Sequence, residues 1–122
     1  MATSILDSTK KLLGLDMDYD VFDLDVLTHI NTVFFTLQQL GVGPADGFFI
    51  EDNTKNWEDY DTVGNLNAVR SYMFIRVRLL FDPPATSFAI DSLKKQAEEL
   101  EWRLNVQQES IRHPLDPSGR TI

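Results

Sequence analysis

Apolar residues recur at helical spacing in several stretches of this chain, and glycine or proline marks the breaks between them. The firmest pattern covers residues 65–81. Leu66, Val69, Met73, Val77 and Leu80 form one stripe, and Ala68, Tyr72, Ile75 and Leu79 form a second beside it. That apolar face is wider than a surface helix needs, so a central helix is expected. Asp82-Pro83-Pro84 ends it, because proline cannot continue a helix and drives the preceding residue out of the helical region. Thr86 or Ser87 can cap the next helix, which reaches about Glu109 with Ile90, Leu93, Ala97, Leu100 and Leu104 on one face. Residues 65–81 and 86–109 thus predict a long αα-hairpin, with Asp82, Pro83 and Pro84 as its structural turn.

Upstream, residues 3–13 read as a short helix. Ser4 and Asp7 have capping-box spacing, and Gly14 is its stop. Asp23 is placed as the N-cap of a second helix, with Phe22 and Leu27 at staple spacing. Val26, Ile30, Val33, Phe34, Leu37 and Leu40 form its buried stripe, and Gly41 ends it. The connection at residues 42–64 is irregular. It offers a short extended piece at residues 47–51 and one helical turn that sets Trp57 and Tyr60 on one side. A connection of that length in a small domain is often functional. After residue 109, Pro114, Pro117 and Gly119 oppose helix. The expected fold is mainly α: a small bundle of about four helices in one domain, residues 1–109, followed by a flexible C-terminal tail, residues 110–122.

Composition narrows the function. Nineteen acidic against eleven basic residues give a net charge of −8 and a pI near 4.5. That opposes general nucleic-acid binding, which favours basic faces. With no cysteine there is neither a disulfide framework nor a thiolate metal site. The opening residues lack the basic stretch and apolar run of a signal peptide, and no apolar run is long enough to span a bilayer. A cytoplasmic or particle-associated protein is expected.

Candidate chemistry is sparse. Asp16, Asp18 and Asp20 alternate like the start of a calcium loop, but Val21 and Leu27 stand where an EF-hand needs Gly and Glu. The acidic stretch therefore reads as a solvated connector. His29 lies on a helix with no second ligand at suitable spacing and reads as structural. None of the nucleophile, phosphate-loop, dinucleotide or zinc motifs occurs. No catalytic residue, cofactor or metal site is assigned.

Apolar residues in the wrong place stand out instead. On a helical projection Phe88, Trp102 and Val106 fall opposite the buried stripe of the last helix, and Trp102 and Val106 adjoin. Phe35 points away from the stripe of the second helix, with Leu24 near it. Either the irregular connection covers Trp102 within the domain, or Trp102 faces a partner, a role in which tryptophan is a favoured anchor. The candidate interface comprises Phe35, Trp102 and Val106, joined by Ile111, Arg112 and His113 from a tail able to order on a partner.

The stretch from Tyr72 to Ser87, Tyr-Met-Phe-Ile-Arg-Val-Arg-Leu-Leu-Phe-Asp-Pro-Pro-Ala-Thr-Ser, carries a resemblance. So do Glu98-Glu-Leu-Glu-Trp-Arg-Leu-Asn105 and the upstream Trp57-Glu-Asp-Tyr60 after Phe49-Ile50-Glu51-Asp52. They resemble the head-to-tail connector, or adaptor, proteins of long-tailed double-stranded DNA phages, over roughly residues 4–109. The resemblance implies a non-enzymatic virion protein of the neck, assembled in the host cytoplasm. It would form a ring, typically twelve-fold, beneath the portal, joining the DNA-filled head to the tail and extending the DNA channel. Its partners would be the portal protein, neighbouring copies of itself, and the next connector, stopper or tail-completion protein. DNA would pass through the lumen without sequence-specific binding, and no membrane or cofactor is implied. The residues taken alone leave a second class open: a small acidic helical protein-binding module, a regulator or inhibitor, acting as monomer or dimer.

Overall fold

Ser4 sets the start of the first helix. Its hydroxyl accepts from the Asp7 backbone N–H at 3.3 Å, and α1 runs Ile5–Leu12. The computed structural model describes residues 3–60 and 66–112, and the side chains only as far as Val106 in the last helix. Ile5, Leu6 and Thr9 are buried, and so is Lys10. Gly14, at φ 83°, turns the chain out of α1 in a conformation that favours glycine.

The second helix, α2 (Asp23–Gln39), buries Val26, Ile30, Val33, Phe34 and Leu37, as the 3.6-residue period predicts. Its start departs from expectation. Asp23 is the first helical residue and not the N-cap; Phe22 occupies the cap position and makes no side-chain cap bond. The reason is electrostatic: the Asp23 carboxylate is turned to the Lys10 ammonium, 2.7 Å away.

The third helix, α3 (Leu66–Phe81), is central. It packs on α2 along one side and on α4 along the other, and α1 lies across α2 and α3. Val69, Tyr72, Met73, Ile75 and Val77 are buried. Leu80, expected on the buried stripe, is half-exposed. In that last turn Leu79 and Phe81 take over the contact with the core, which leaves Leu80 facing outward.

The fourth helix, α4 (Ser87–Arg112), is capped by Thr86, whose hydroxyl accepts from the Ala89 N–H at 3.2 Å. Ala97 and Leu104 are buried, and Leu93 and Leu100 partly so. The helix continues through residues 110–112, beyond the expected Glu109. The prolines said to oppose helix begin only at Pro114, so nothing at Ser110, Ile111 or Arg112 forbids another turn. His113 and the rest of the expected tail lie outside the described residues, as does Asn65. Between the two helices Asp82 enters the break through its backbone, donating to the Arg78 carbonyl at 3.0 Å before Pro83 and Pro84.

The irregular connection is packed through aromatic rings. Phe34, Phe48, Trp57 and Tyr60 form a cluster with centroids 4.9–6.4 Å apart, and a 3-10 turn at Trp57–Asp59 sets Trp57 and Tyr60 inward. Gly43, at φ +87°, sits so close to Tyr60 that a Cβ there would lie 2.6 Å from its hydroxyl. Asn31 holds Ile50 by both backbone groups: its Oδ1 accepts from the Ile50 N–H at 2.8 Å, and its Nδ2 donates to the Ile50 carbonyl at 2.9 Å. One side chain thereby does for Ile50 what a neighbouring strand would do.

Candidate interaction surfaces

The irregular connection determines what remains exposed. It is sewn to α1: the Ile5 N–H donates to the Lys55 carbonyl at 3.1 Å and the Trp57 N–H to the Thr3 carbonyl at 2.9 Å. The Trp57 indole N–H donates to the Ser8 hydroxyl at 2.9 Å. The tryptophan that the connection buries is its own, so it does not cover Trp102. Trp102 is 67% exposed, Phe35 60% and Phe88 84%; Val106 is exposed as well. Apolar surface is therefore presented on two different helices, α2 and α4. Trp102 and Val106 adjoin on α4, and aromatic residues are enriched at interfaces, so this face is a candidate contact surface. Of the other candidates, the backbones of Ile111 and Arg112 belong to α4, and His113 lies outside the described residues.

The outward aim of Trp102 is fixed by its neighbour. Glu101 turns inward and binds Arg76 of α3 in an ion pair between its Oε1 and the Arg76 Nη2. The Tyr72 hydroxyl donates to the same Oε1 at 2.9 Å, and the Arg76 Nε donates to the Tyr72 oxygen at 3.2 Å. Burial pushes the Tyr72 hydroxyl up to about 12. This three-residue contact sets the register of α4 on α3, and Trp102, two residues and so about 200° around the helix from both Leu100 and Leu104, faces out.

A second surface is the α1–α2 connection at residues 13–22. Asp16 and Asp20 each open a turn, closed by Tyr19 N–H to Asp16 carbonyl at 3.1 Å and Asp23 N–H to Asp20 carbonyl at 3.2 Å. Asp is favoured at that turn position, which accounts for Asp16 and Asp20. Among the described residues no acid and histidine group is arranged to hold a metal ion. His29, partly buried, lies edge-on to Phe81 with ring centroids 6.4 Å apart. The turns form a compact knob with Met17, Tyr19 and Val21 exposed. Lys10 pins it. Only 1% exposed, its ammonium donates to the Met17 carbonyl at 3.0 Å and pairs with Asp23. Sequence reasoning passed over this lysine, because no local pattern marks a cation near the end of α1 as buried.

The third surface is a groove between α3 and α4. Three adjoining cavities share lining residues: Ser71, Ile75 and Gln96 between two of them, Phe74 and Leu93 between another two. Leu12 borders the middle cavity, Pro84 and Phe88 lie at one end, and Arg103 lies at the other. Along α4 the lining runs from Phe88 to Arg103, a length of about 22 Å at helical rise. Three of the chain's basic residues, Arg70, Arg78 and Arg103, edge it. Arg103 pairs with Glu99 at 2.6 Å, an exposed contact worth little, and Arg70 lies over the Trp57 ring.

No helix among the described residues is long and apolar enough to cross a membrane. The surfaces offer apolar contact, charge and shape, which suit docking to other proteins. In comparison with known proteins, the family model described as "Phage connector protein" matches residues 5–110. Comparison with curated proteins and with solved structures gives no match.

Proposed function

The chain belongs to the phage connector protein family, and from that membership we propose that it forms a ring beneath the portal, joining the DNA-filled head to the tail and extending the DNA channel. The family is structural, so its members act by contact and not by turnover. The family match over residues 5–110 carries this reading. The exposed Phe35 on α2 and the exposed Phe88, Trp102 and Val106 on α4 support it, because each subunit of a closed ring must offer two different faces. The ring is twelve-fold, in keeping with the resemblance of residues 72–87 to adaptor proteins. Its partners are the portal, neighbouring copies and the next connector, stopper or tail-completion protein. Its place is the neck of the virion.

A net charge of −8 suits a channel through which DNA slides without being held. The segment beyond residue 109 packs on the portal or on a neighbouring copy, bringing Ile111, Arg112 and His113 to the interface. Electron microscopy of the full chain mixed with portal-bearing heads tests the proposal. A ring of density at the portal vertex is expected. Particles that stay bare, with the chain monomeric or dimeric in solution, would refute it and leave the small binding module standing.

A further inference from the structure

Two of the surfaces described above complement each other. The knob at residues 13–22 is apolar and acidic. Met17, Tyr19 and Val21 are exposed, and Asp16, Asp18 and Asp20 alternate with them. The α3–α4 groove is apolar and basic: Phe74, Ile75 and Leu93 lie along it, and Arg70, Arg78 and Arg103 edge it. The one carboxylate in the groove lining, Glu99, already pairs with Arg103. With Arg103 paired to Glu99, Arg70 and Arg78 leave the groove a net positive edge on a chain with nineteen acids and eleven bases, which favours an acidic occupant. A knob carrying apolar side chains between its acids can fill such a groove as well as neutralise it.

We propose that the α1–α2 knob of one subunit seats in the α3–α4 groove of the next. The inference rests on the ring reading given above and names one contact through which neighbours meet. Lys10 ties the Met17 carbonyl and the Asp23 carboxylate to α1, which fixes the two turns with their apolar side chains outward. A shape locked before docking loses little conformational freedom on docking, so a buried lysine, costly in itself, serves the contact. A knob and a groove on different parts of one subunit make a heterologous contact, the kind that generates rings when the rotation closes.

The absence of cysteine allows a direct test with the full chain on portal-bearing heads. Chains carrying Val21→Cys are mixed with chains carrying Ser71→Cys and treated with a short bismaleimide. Val21 is exposed in the knob, and Ser71 lines the middle of the groove. A covalent product of two chains, one of each kind, is expected only in assembled particles. Charge reversal gives an independent reading. Asp18→Lys with Asp20→Lys should reduce incorporation by about tenfold or more, as should Arg70→Glu with Arg78→Glu. Combining all four in one chain should restore incorporation, measured against the melting of each free variant, since Arg70 also lies over the Trp57 ring.

A ring visible on the portal with no mixed product and no loss on charge reversal would overturn the knob-in-groove contact and leave the ring intact. Absence of any multi-copy assembly would overturn both. A link from Ser71→Cys to a different protein of the particle would assign the groove to that partner instead. If a charge-reversed chain fails to fold, the two cysteine variants still decide, since both lie at exposed positions.

Discussion

The ammonium of Lys10 and the carboxylate of Asp23 meet at 2.7 Å across the α1–α2 connection, with the lysine almost wholly out of solvent. A buried cation is tolerable only when paired and hydrogen-bonded, and Lys10 has both Asp23 and the Met17 carbonyl. Lys10→Met removes the charge but leaves that carbonyl without its donor. It should cost about 1–3 kcal/mol in urea denaturation. Asp23→Asn leaves the cation buried with no counter-charge and should cost at least as much. If the knob seats on a neighbour, Lys10→Met should also lower incorporation into particles by more than its stability loss accounts for.

Trp102 separates folding from assembly. It is 67% exposed, and Glu101 beside it makes the contact with α3. Trp102→Ala should therefore shift the stability of the free subunit by about 0.5 kcal/mol or less. In assembly the same change should cost about 2 kcal/mol or more if Trp102 anchors the interface. One mutant measured by thermal melt and by incorporation into heads checks both. A large fall in melting temperature would remove Trp102 from the interface.

Core truncations should follow observed burial and not position on the helical stripe. Val77 and Leu104 are almost fully buried, and either change to Ala should cost on the order of 2–5 kcal/mol. Leu100 is only partly buried and Leu80 is half-exposed, so their truncations should cost less, Leu80 least. Chemical denaturation of the four variants gives the order. Equal costs at Leu80 and Val77 would contradict it.

Tyr60 provides a test at alkaline pH. Burial pushes its hydroxyl above the ordinary value of 10.0, and burial does the same to Tyr72, to about 12. The fold thus favours the neutral phenols. Their contribution is complete below pH 10 and is lost as pH rises through the folded values. Thermal melts should be flat with respect to these groups up to about pH 10 and fall beyond it. The buried Tyr60 hydroxyl has no hydrogen-bond partner among the described residues. Tyr60→Phe should consequently be neutral, or stabilising by about 1 kcal/mol, at pH 7, and should flatten part of the alkaline fall.

The four helices were legible because each carries enough apolar residues at 3.6 spacing to identify its inner face, and Gly14, Gly41 and the Asp82-Pro83-Pro84 break supply the ends. The outward position of Trp102 followed from the same projection. What escaped depends on groups brought together across the fold. Lys10 pairs with a residue thirteen positions away, and no periodicity marks that. Asn31 clamping Ile50 is a side chain standing in for a strand, which no local pattern announces. The α3–α4 groove belongs to neither helix alone. Its arginines are scattered at positions 70, 78 and 103, and they converge only when the hairpin closes.

The two tryptophans occupy opposite environments. Trp57 is buried with its indole N–H bonded to Ser8, and Trp102 lies open to solvent. No other tryptophan is present in the chain. The subunit consequently carries two intrinsic fluorophores that can be read apart. A soluble quencher such as iodide reaches Trp102 and leaves Trp57 bright, so quenching follows the outer face of α4 while the unquenched emission follows the integrity of the core. Docking and unfolding can be monitored in the same cuvette, without a label, in a protein whose own sequence supplies both signals.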